Sequence, residues 1–454
     1  MQPIKQFRSA NASLWQSAVD QVIARKEAGA SPAASLAATP QTVARPDQTL
    51  PEIVQANQIA AAIDEEGTIP SATPPSAAVG ITDTVRFCSA AAYKLAEARV
   101  KAFFSGDDTE LNILKAQLDT PFAQCDPHWA QVLEVYAASR IADKTIPYRR
   151  YASLSDFVID GRLPADASVA LIADWGTGQD SAKKLLARLA ARNPDVAIHL
   201  GDVYYSGTQS EVQNYFYAIW QSTLGIQKTA WGSKAAVPSH GPATFHLAGN
   251  HDMYAGGQPY YTVIDMLGQP ASYFCLRNEH WQFVAIDTGL HDANPGRTGR
   301  ATWLEDSEVE WLKDKVNNAG GRKTILLSHH QLFTSYEKID GQSVNSKLLA
   351  QVQDILPKIT AWFWGHGHNL VIYKPYLNVL ARCIGNGAFP VLPSELGVPN
   401  PAVPMDPISL AKDPSGFFAH GYVSLKLDGP AALVTYYQYD AATDSEAVLF
   451  TEEL

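Results

Sequence analysis

Five apolar segments of the chain each end in side chains that commonly bind metal ions. These side chains are Asp174 in DWG, Asp202 in GDVYY, Asn250 in GNHD, the histidines of SHHQ at 328–331 and those of GHGH at 365–368. One such residue alone would indicate a turn former or a structural histidine. Together, carboxylate, amide, imidazole and phenol groups are ligands that iron, manganese and zinc accept. So many ligands exceed the needs of one ion, whereas two ions about 3.5–4 Å apart can share them through one carboxylate.

Short apolar runs that alternate with amphipathic helices must position these side chains. The runs are SVALIAD, DVAIHLGD, TFHLAGN, WQFVAID, TILLSHH and TAWFWGH, and the helices include DSAKKLLARLAARN and SEVEWLKDKVNNAG. In the second helix Ser307 and Glu310 match a capping box, and Gly320 and Gly321 mark its end. The alternation predicts an α/β layered domain with a largely parallel sheet. Because ligands bind outside the carboxyl ends of strands in such sheets, we expect the side chains to meet along one edge.

The remainder of the chain divides by composition. Residues 1–80 are rich in Ala, Pro, Ser and Thr, which predicts a low-complexity, linker-like segment with one short helix. Apolar residues three and four apart predict a helical subdomain over residues 81–150. We expect the α/β domain over residues 151–454, with antiparallel strands added after Leu377.

Composition excludes several classes of partner. The chain has 454 residues and a formal net charge of −11, so binding to a nucleic-acid duplex, which requires a basic surface, is not expected. Its four cysteines show no C-x-x-C spacing, which argues against a cysteine zinc site, while pairing of Cys88 with Cys125 stays open. No apolar run fits a signal peptide or a membrane span. A cytoplasmic location is the default expectation; a periplasmic or secreted location stays open if the start is trimmed, and so does the oligomeric state.

The ordered motifs DWG, GDVYY, GNHD, HH and GHGH resemble those of the calcineurin-like metallophosphoesterases, and among them the purple acid phosphatase branch most closely. The resemblance covers roughly residues 168–390. It implies a four-layer αββα sandwich, with the helical N-terminal region as an addition. It also implies hydrolysis of phosphate esters by a dinuclear metal centre.

The resemblance further implies which residues bind each metal. Most of the superfamily has a histidine ligand where this chain has Gly176, and purple acid phosphatases replace it with a tyrosine at the place of Tyr205. Asp202 would bridge the two ions, with Fe(III) in the first site and Fe(II), Zn or Mn in the second. The first site would use Asp174, Asp202, Tyr205 and His368, and the second would use Asp202, Asn250, His329 and His366.

The catalytic roles implied by the resemblance concern the GNHD and HH motifs. A metal-bound hydroxide would attack phosphorus, and His251 would protonate the leaving group while Asp252 orients it by a hydrogen bond. His330, next to a ligand, is expected on the substrate side. We expect a small-molecule phosphate ester as substrate, with a phosphomonoesterase of acid phosphatase type favoured. The alternatives are a phosphodiesterase acting on nucleotides or phospholipid headgroups, and a non-catalytic metal-binding scaffold.

A glycine-rich loop after the run WQFVAID carries two further candidates. Arg297 and Arg300 lie in LHDANPGRTGRATW, and an arginine fork could grip a substrate phosphate. The alternative interpretation is a solvated loop without a role in binding.

Overall fold

The computed structural model describes residues 107–123 and 144–454, with gaps at 227–229, 234–240 and 296–298, together with single positions between Lys94 and Ala142. The predicted segment 1–80, most of the predicted helical region 81–150, both residues of the open Cys88–Cys125 pairing and Arg297 lie outside the described residues. The described chain forms two compact units. The domain boundaries expected from the sequence stay a prediction.

The first unit contains one described helix, α1 (Thr109–Asp119). It also includes Ser394–Gly397 and Pro414–Gly416. Within this unit the side-chain amide of Gln117 donates a hydrogen bond to the carbonyl oxygen of Ser415 at 2.8 Å.

The second unit contains the other described helices and two sheets. The helices are α2 (Asp180–Ala190), α3 (Gln209–Glu211), α4 (Ala218–Leu224), α5 (Asn250–Tyr254), α6 (Gln258–Met266), α7 (Asp306–Asn317) and α8 (Ser346–Val352). A π-helical stretch, Val212–Tyr217, joins α3 to α4, and 3₁₀ turns lie at Leu290–Asp292 and Leu356–Lys358. A further 3₁₀ turn, Pro393–Glu395, begins at the last residue of this unit before the chain enters Ser394–Gly397 of the first unit. None of the helices in the described ranges has the length and hydropathy needed to cross a membrane.

The strands form a six-stranded and a seven-stranded mixed sheet. They are β1 (Val158–Asp160), β2 (Ser168–Ile172), β3 (Val196–His199), β4 (Ala243–His246), β5 (Phe274–Arg277), β6 (Trp281–Ala285), β7 (Lys323–Ser328), β8 (Ala361–Trp364), β9 (Leu370–Ile372), β10 (Ala381–Ile384), β11 (His420–Asp428), β12 (Ala431–Asp440) and β13 (Ser445–Glu453). The strand orders are β13-β12-β11-β2-β3-β4 and β1-β5-β6-β7-β8-β10-β9. Strands β2, β3 and β4 are parallel, as are β6, β7 and β8.

Apolar side chains that alternate between the two faces of each strand explain why the sheets pack face to face. In β2, Val169 and Leu171 enter a core shared with residues of the other sheet, whereas Ala170 and Ile172 face a different core on the outer side. Successive side chains of a strand point to opposite faces, so apolar residues on both faces require cover on both sides. The six-stranded sheet is therefore covered by the other sheet on one face and by helices on the other.

Amphipathic helices supply the outer layers. Helix α2 buries Ala182, Leu185, Leu186 and Leu189, spaced three and four apart, against the outer face of the six-stranded sheet. Trp311 of α7 and Leu348 of α8 cover the outer face of the seven-stranded sheet. The result is the expected four-layer αββα sandwich.

Two local expectations differ from the structure. Helix α7 begins at Asp306, so Ser307 lies in its first turn and the predicted capping box does not form. Strand β10 pairs in parallel with β8, although β11, β12 and β13 are antiparallel as expected. Gly320 and Gly321 do follow the end of α7, with left-handed φ angles of 65° and 85° that glycine adopts without steric cost.

Candidate metal centre

The carboxyl ends of parallel strands from both sheets bring the candidate ligands together. Asp174, Asp202 and Asn250 follow β2, β3 and β4 of one sheet. His329 follows β7, and His366 and His368 follow β8, of the other sheet. Ligand atoms of Asp174, Asp202 and His368 lie within 4.8 Å of one another, and so do those of His329, His330 and His366.

Several of these residues have an uncommon backbone conformation. The φ angles are 53° for Asp174, 76° for Asp202, 62° for His366 and 22° for His368. Positive φ costs a non-glycine residue about 1–3 kcal/mol and persists only where the surrounding structure enforces it. The turns at the strand ends therefore hold these side chains in place at a cost in stability, as is common at functional sites.

The first group surrounds Asp174. Its Oδ1 lies 3.3 Å from Nε2 of His368, and the hydroxyl of Tyr204 donates a hydrogen bond to the same Oδ1 at 2.9 Å. The Tyr204 hydroxyl also lies 2.9 Å from Nε2 of His368. Burial and the nearby Asp174 raise the pKa of Tyr204, so phenolate ligation requires a cation that displaces this proton.

Tyr204 is a candidate that the sequence analysis did not propose as a ligand. For the adjacent Tyr205, expected to bind the first metal, the backbone N–H donates to Glu211 at 2.6 Å and the carbonyl oxygen lies 2.5 Å from Nδ1 of His251. Tyr205 as a ligand stays a prediction. No sequence signal separates two adjacent tyrosines, because the backbone conformation after the strand decides which ring turns towards Asp174.

Close packing of the backbone requires a glycine at position 176. A Cβ atom there would lie 2.6 Å from the carbonyl oxygen of Asp202 and 2.7 Å from Cα of Val203. Real Cβ atoms do not approach backbone atoms so closely. The backbones at residues 176 and 203 are joined by a parallel bridge, so this geometry excludes any side chain, histidine included, at position 176.

The second group surrounds the amide oxygen of Asn250. Oδ1 of Asn250 lies 3.2 Å from Nε2 of His329 and 3.2 Å from Nδ1 of His366. The amide nitrogen of Asn250 donates to the Tyr254 hydroxyl at 2.6 Å, which directs Oδ1 towards the histidines. Nδ1 of His329 lies 2.9 Å from the carbonyl oxygen of Leu200, to which it donates, so loss of the other ring proton would leave the lone pair on Nε2. This tautomer is the one a metal ligand needs.

Asp202 lies between the two groups. Its Oδ1 accepts a hydrogen bond from the backbone N–H of His251 at 3.0 Å. Its Oδ2 is fully buried and has no hydrogen-bond donor among the described residues, although Nε2 of His329 is 3.4 Å away. Burial would raise the pKa of Asp202, but His329 and His251 outweigh burial and hold it well below its usual value. A buried, ionised oxygen of this kind, beside a ring nitrogen of the second group, fits a bridging position between cations.

His330 is engaged on both ring nitrogens. Its Nε2 donates to Oδ2 of Asp292 at 3.1 Å, and its Nδ1 accepts from the hydroxyl of Thr288 at 3.1 Å. Burial, reinforced by the neighbouring His329, keeps the pKa of His330 well below its usual value, so the ring is neutral. With both nitrogens occupied, the geometry favours His329 over His330 as the ligand.

His251 lies beside Asp202 and at the edge of the site. Its Nδ1 donates to the carbonyl oxygen of Tyr205, and its Nε2 lies 3.9 Å from Oδ2 of Asp202. The ring packs against Tyr204 and Tyr254, at centroid distances of 4.7 Å each. The side chain is 13% exposed, whereas that of Asp202 is 1% exposed, so solvent and substrate can reach the imidazole.

The predicted hydrogen bond from Asp252 to His251 is wrong. Oδ2 of Asp252 accepts from the backbone N–H groups of Asp202 and Gly249 at 2.9 Å each. Oδ1 faces Nε2 of His246 at 3.3 Å. Asp252 is the third residue of α5, and a side chain in the first helical turn bonds free N–H groups near the helix start rather than its sequence neighbour.

His246 is a residue that the sequence analysis missed. Its register partner in the neighbouring strand is His199, and both side chains are fully buried. The sequence did contain a signal for this pair: His199 and His246 each end an apolar strand, a few residues before the candidate ligands Asp202 and Asn250.

The loop after β6 is only partly described. Arg300 forms an ion pair with Asp340 at 3.1 Å, and its side chain is 66% exposed. His291 stacks on Trp303 at a centroid distance of 4.3 Å and lies 3.0 Å from Glu305. A substrate role for Arg297 and Arg300 stays a prediction.

Part of the chain is similar to known proteins. Residues 167–370 match the family model described as calcineurin-like phosphoesterase, so this part of the chain is a calcineurin-like phosphoesterase domain. A curated relative, the 3',5'-cyclic adenosine monophosphate phosphodiesterase CpdA of Pseudomonas aeruginosa, is 23% identical over 198 residues. The match covers 42% of this chain and 62% of the relative.

Two solved structures show limited similarity. A dimetal phosphatase from Danio rerio is 9% identical with a TM-score of 0.40, and the match covers 63% of this chain and 99% of that chain. GAP50, described as the anchor in the inner membrane complex of Plasmodium, is 14% identical with a TM-score of 0.40, and the match covers 63% and 88% of the two chains.

Proposed function

We propose that this protein hydrolyses phosphate esters with a dinuclear metal centre. The observation that supports the proposal is the position of Asp202 between two groups of ligand side chains. One group is Asp174, His368 and a tyrosine, and the other is Asn250, His329 and His366. Two cations that share the Asp202 carboxylate would each find further ligands in one of the two groups.

The donor sets suggest different metals for the two positions. A phenolate is a hard, strong donor that favours a trivalent ion, so Fe(III) fits the group with a tyrosine. The group of Asn250, His329 and His366 has one amide and two imidazoles, which suit Fe(II), Zn or Mn. Bound there, the two cations supply the positive charge that a phosphoryl-transfer transition state requires, and they acidify water.

The chain's own residues orient the reaction. His251 donates from Nδ1 to a backbone carbonyl, which fixes the ring and leaves Nε2 to hold a proton. Nε2 lies 3.9 Å from Oδ2 of Asp202 and the side chain reaches solvent. We assign to Nε2 the transfer of a proton to the leaving-group oxygen of the ester. Asp252 supports Asp202 through the backbone instead of holding His251.

Monoesters are the substrate class we propose first, since the ligand set serves them without further contacts. A second candidate is cleavage of phosphodiesters, favoured by the 23% identity to a protein named as a cyclic nucleotide phosphodiesterase. The two classes differ in charge: a monoester dianion presents one more anionic oxygen to the metals than a diester does.

A substrate panel separates these proposals. The protein would be loaded with Fe, Zn or Mn, its metal content measured, and hydrolysis followed for nitrophenyl phosphate, bis-nitrophenyl phosphate and cyclic AMP. We expect two metals per chain and the highest kcat/KM for the monoester, with activity lost in Asp202→Asn. A preference for cyclic AMP or the bis-ester would support the second candidate. Full metal loading with no hydrolysis of any ester would support a non-catalytic scaffold and overturn the proposal.

A further inference from the structure

Two buried histidines connect the backbone segments that carry ligands of both groups. Nε2 of His199 lies 3.4 Å from the backbone nitrogen of Trp175, the residue after Asp174. Nδ1 of His199 lies 3.0 Å from Nδ1 of His246. His246 in turn faces Asp252, which accepts hydrogen bonds from Asp202 and Gly249. We call His199, His246 and Asp252 the histidine chain.

One assignment of protons satisfies both hydrogen bonds of His199 and directs an N–H group of His246 towards Asp252. The Trp175 N–H donates to Nε2 of His199, whose Nδ1–H donates to Nδ1 of His246. Nε2–H of His246 then faces Oδ1 of Asp252 at 3.3 Å, a polar contact without the alignment of a hydrogen bond. Neither of these last two atoms has a hydrogen-bond partner in the described ranges. The histidine chain therefore runs in one direction from the Trp175 N–H to the carboxylate of Asp252, which also accepts hydrogen bonds from the backbone N–H groups of Asp202 and Gly249.

The surroundings hold the two rings in place. His199, His246 and Asp252 are all 0% exposed. The ring of Phe216 stacks on His246 at 4.4 Å and lies 5.4 Å from His199. Phe216 belongs to the π-helical stretch Val212–Tyr217, and such stretches occur frequently at functional sites. Apolar walls and the polar contacts at the ring nitrogens restrict the orientation of each imidazole.

We propose that His199 and His246 are positioning residues for the metal centre. They fix Asp252, and Asp252 fixes the backbone from which Asp202 and Asn250 reach the metals. Asp202 needs this support because its φ angle is 76°, a conformation that a non-glycine residue adopts only under restraint. The proposal rests on the dinuclear site proposed above, and it assigns control of the spacing between the two metals to residues that contact neither.

The first experiment does not depend on metal. Amide hydrogen exchange would be measured for Asp202 and Gly249 in the full chain, in wild type, His246→Phe, His246→Gln and Phe216→Leu. We expect exchange about tenfold faster in His246→Phe, the order expected when a buried carboxylate loses one polar contact. His246→Gln should restore protection, because its amide nitrogen can occupy the place of Nε2. Phe216→Leu disturbs the packing and keeps the donors, so it should resemble wild type.

The second experiment measures Mn²⁺ binding by equilibrium dialysis and the electron paramagnetic resonance of the loaded protein. His246→Phe should bind Mn²⁺ about 10–100-fold more weakly and show altered coupling between the two ions, since loss of a residue that orients a ligand has costs of this order. His199→Phe tests the same link should His246→Phe not fold. Unchanged exchange and affinity in both variants would overturn the proposal, as would equal losses in Phe216→Leu. A wild type with protected amides that binds no metal pair would instead overturn the proposed function.

Discussion

Nε2 of His329 lies 3.4 Å from Oδ2 of Asp202, and the two residues follow strands of different sheets. This contact joins the two halves of the sandwich at the carboxyl ends of β3 and β7. Burial lowers the pKa of His329, but Asp202 outweighs burial and raises it to about 9, so without cations the two side chains form a buried ion pair. A cation between them would replace the proton as the positive partner.

The first prediction concerns the shared carboxylate. Asp202→Asn removes the charge that both metal positions use, so we expect loss of both ions and a fall in kcat beyond the roughly 10–100-fold typical of residues that only support a ligand. His330→Ala should retain both metals, because both nitrogens of His330 are already hydrogen-bonded. Metal analysis and kinetics of the two variants check this. Metal loss in His330→Ala together with metal retention in His329→Ala would reverse the assignment.

The second prediction separates the two adjacent tyrosines. A tyrosinate bound to Fe(III) gives a broad visible absorption band. The Tyr204 hydroxyl lies 2.9 Å from both Asp174 and His368, so we expect Tyr204→Phe to abolish the band and Tyr205→Phe to retain it. Iron content measured on the same samples is the control. Loss of the band only in Tyr205→Phe would mean that the resemblance to purple acid phosphatases, and not the hydroxyl contacts, identifies the ligand.

The sequence predicts that the candidate ligands lie close together because one rule of sheet geometry applies to all of them. Asp174, Asp202, Asn250, His329, His366 and His368 each follow a parallel strand, and parallel strands end at a common edge. The role of Asp252 is not predictable in the same way. Its hydrogen-bond partners depend on the first turn of a short helix and on His246, a residue whose importance appears only through strand register.

The third prediction concerns stability and pH. Glu308 is fully buried; its carboxyl accepts hydrogen bonds from the Tyr148 hydroxyl at 2.8 Å and the backbone N–H of Asp287 at 2.7 Å. Burial, reinforced by Asp287, raises the pKa of Glu308 well above its usual 4.5. A raised folded-state pKa favours the protonated form, so this contribution to stability is complete below pH 4.5 and is lost as pH rises through the folded pKa. Each unit by which the folded-state pKa exceeds the unfolded-state pKa changes the free energy of unfolding by about 1.4 kcal/mol.

We therefore expect the melting temperature of wild type to fall from pH 5 to pH 8 by more than that of Glu308→Gln, which keeps the shape without the charge. Glu310→Gln is the matched control: Glu310 lies on the same helix, is exposed and accepts a hydrogen bond from Tyr151 at 2.8 Å. Parallel melting curves for wild type and Glu308→Gln, measured by circular dichroism across this range, would contradict the prediction.

The last prediction concerns His251 and the leaving group. An alkoxide is a strong base that needs a proton as the P–O bond breaks, whereas a nitrophenolate leaves without one. Nδ1 of His251 is held by the Tyr205 carbonyl oxygen, so the proton would come from Nε2. Loss of a general acid typically costs about 10²–10⁴-fold where the proton matters. His251→Ala should therefore slow hydrolysis of an alkyl phosphate by this order and that of nitrophenyl phosphate much less, at unchanged metal content. Equal losses of kcat on the two esters would show that His251 positions the phosphate and does not act as the acid.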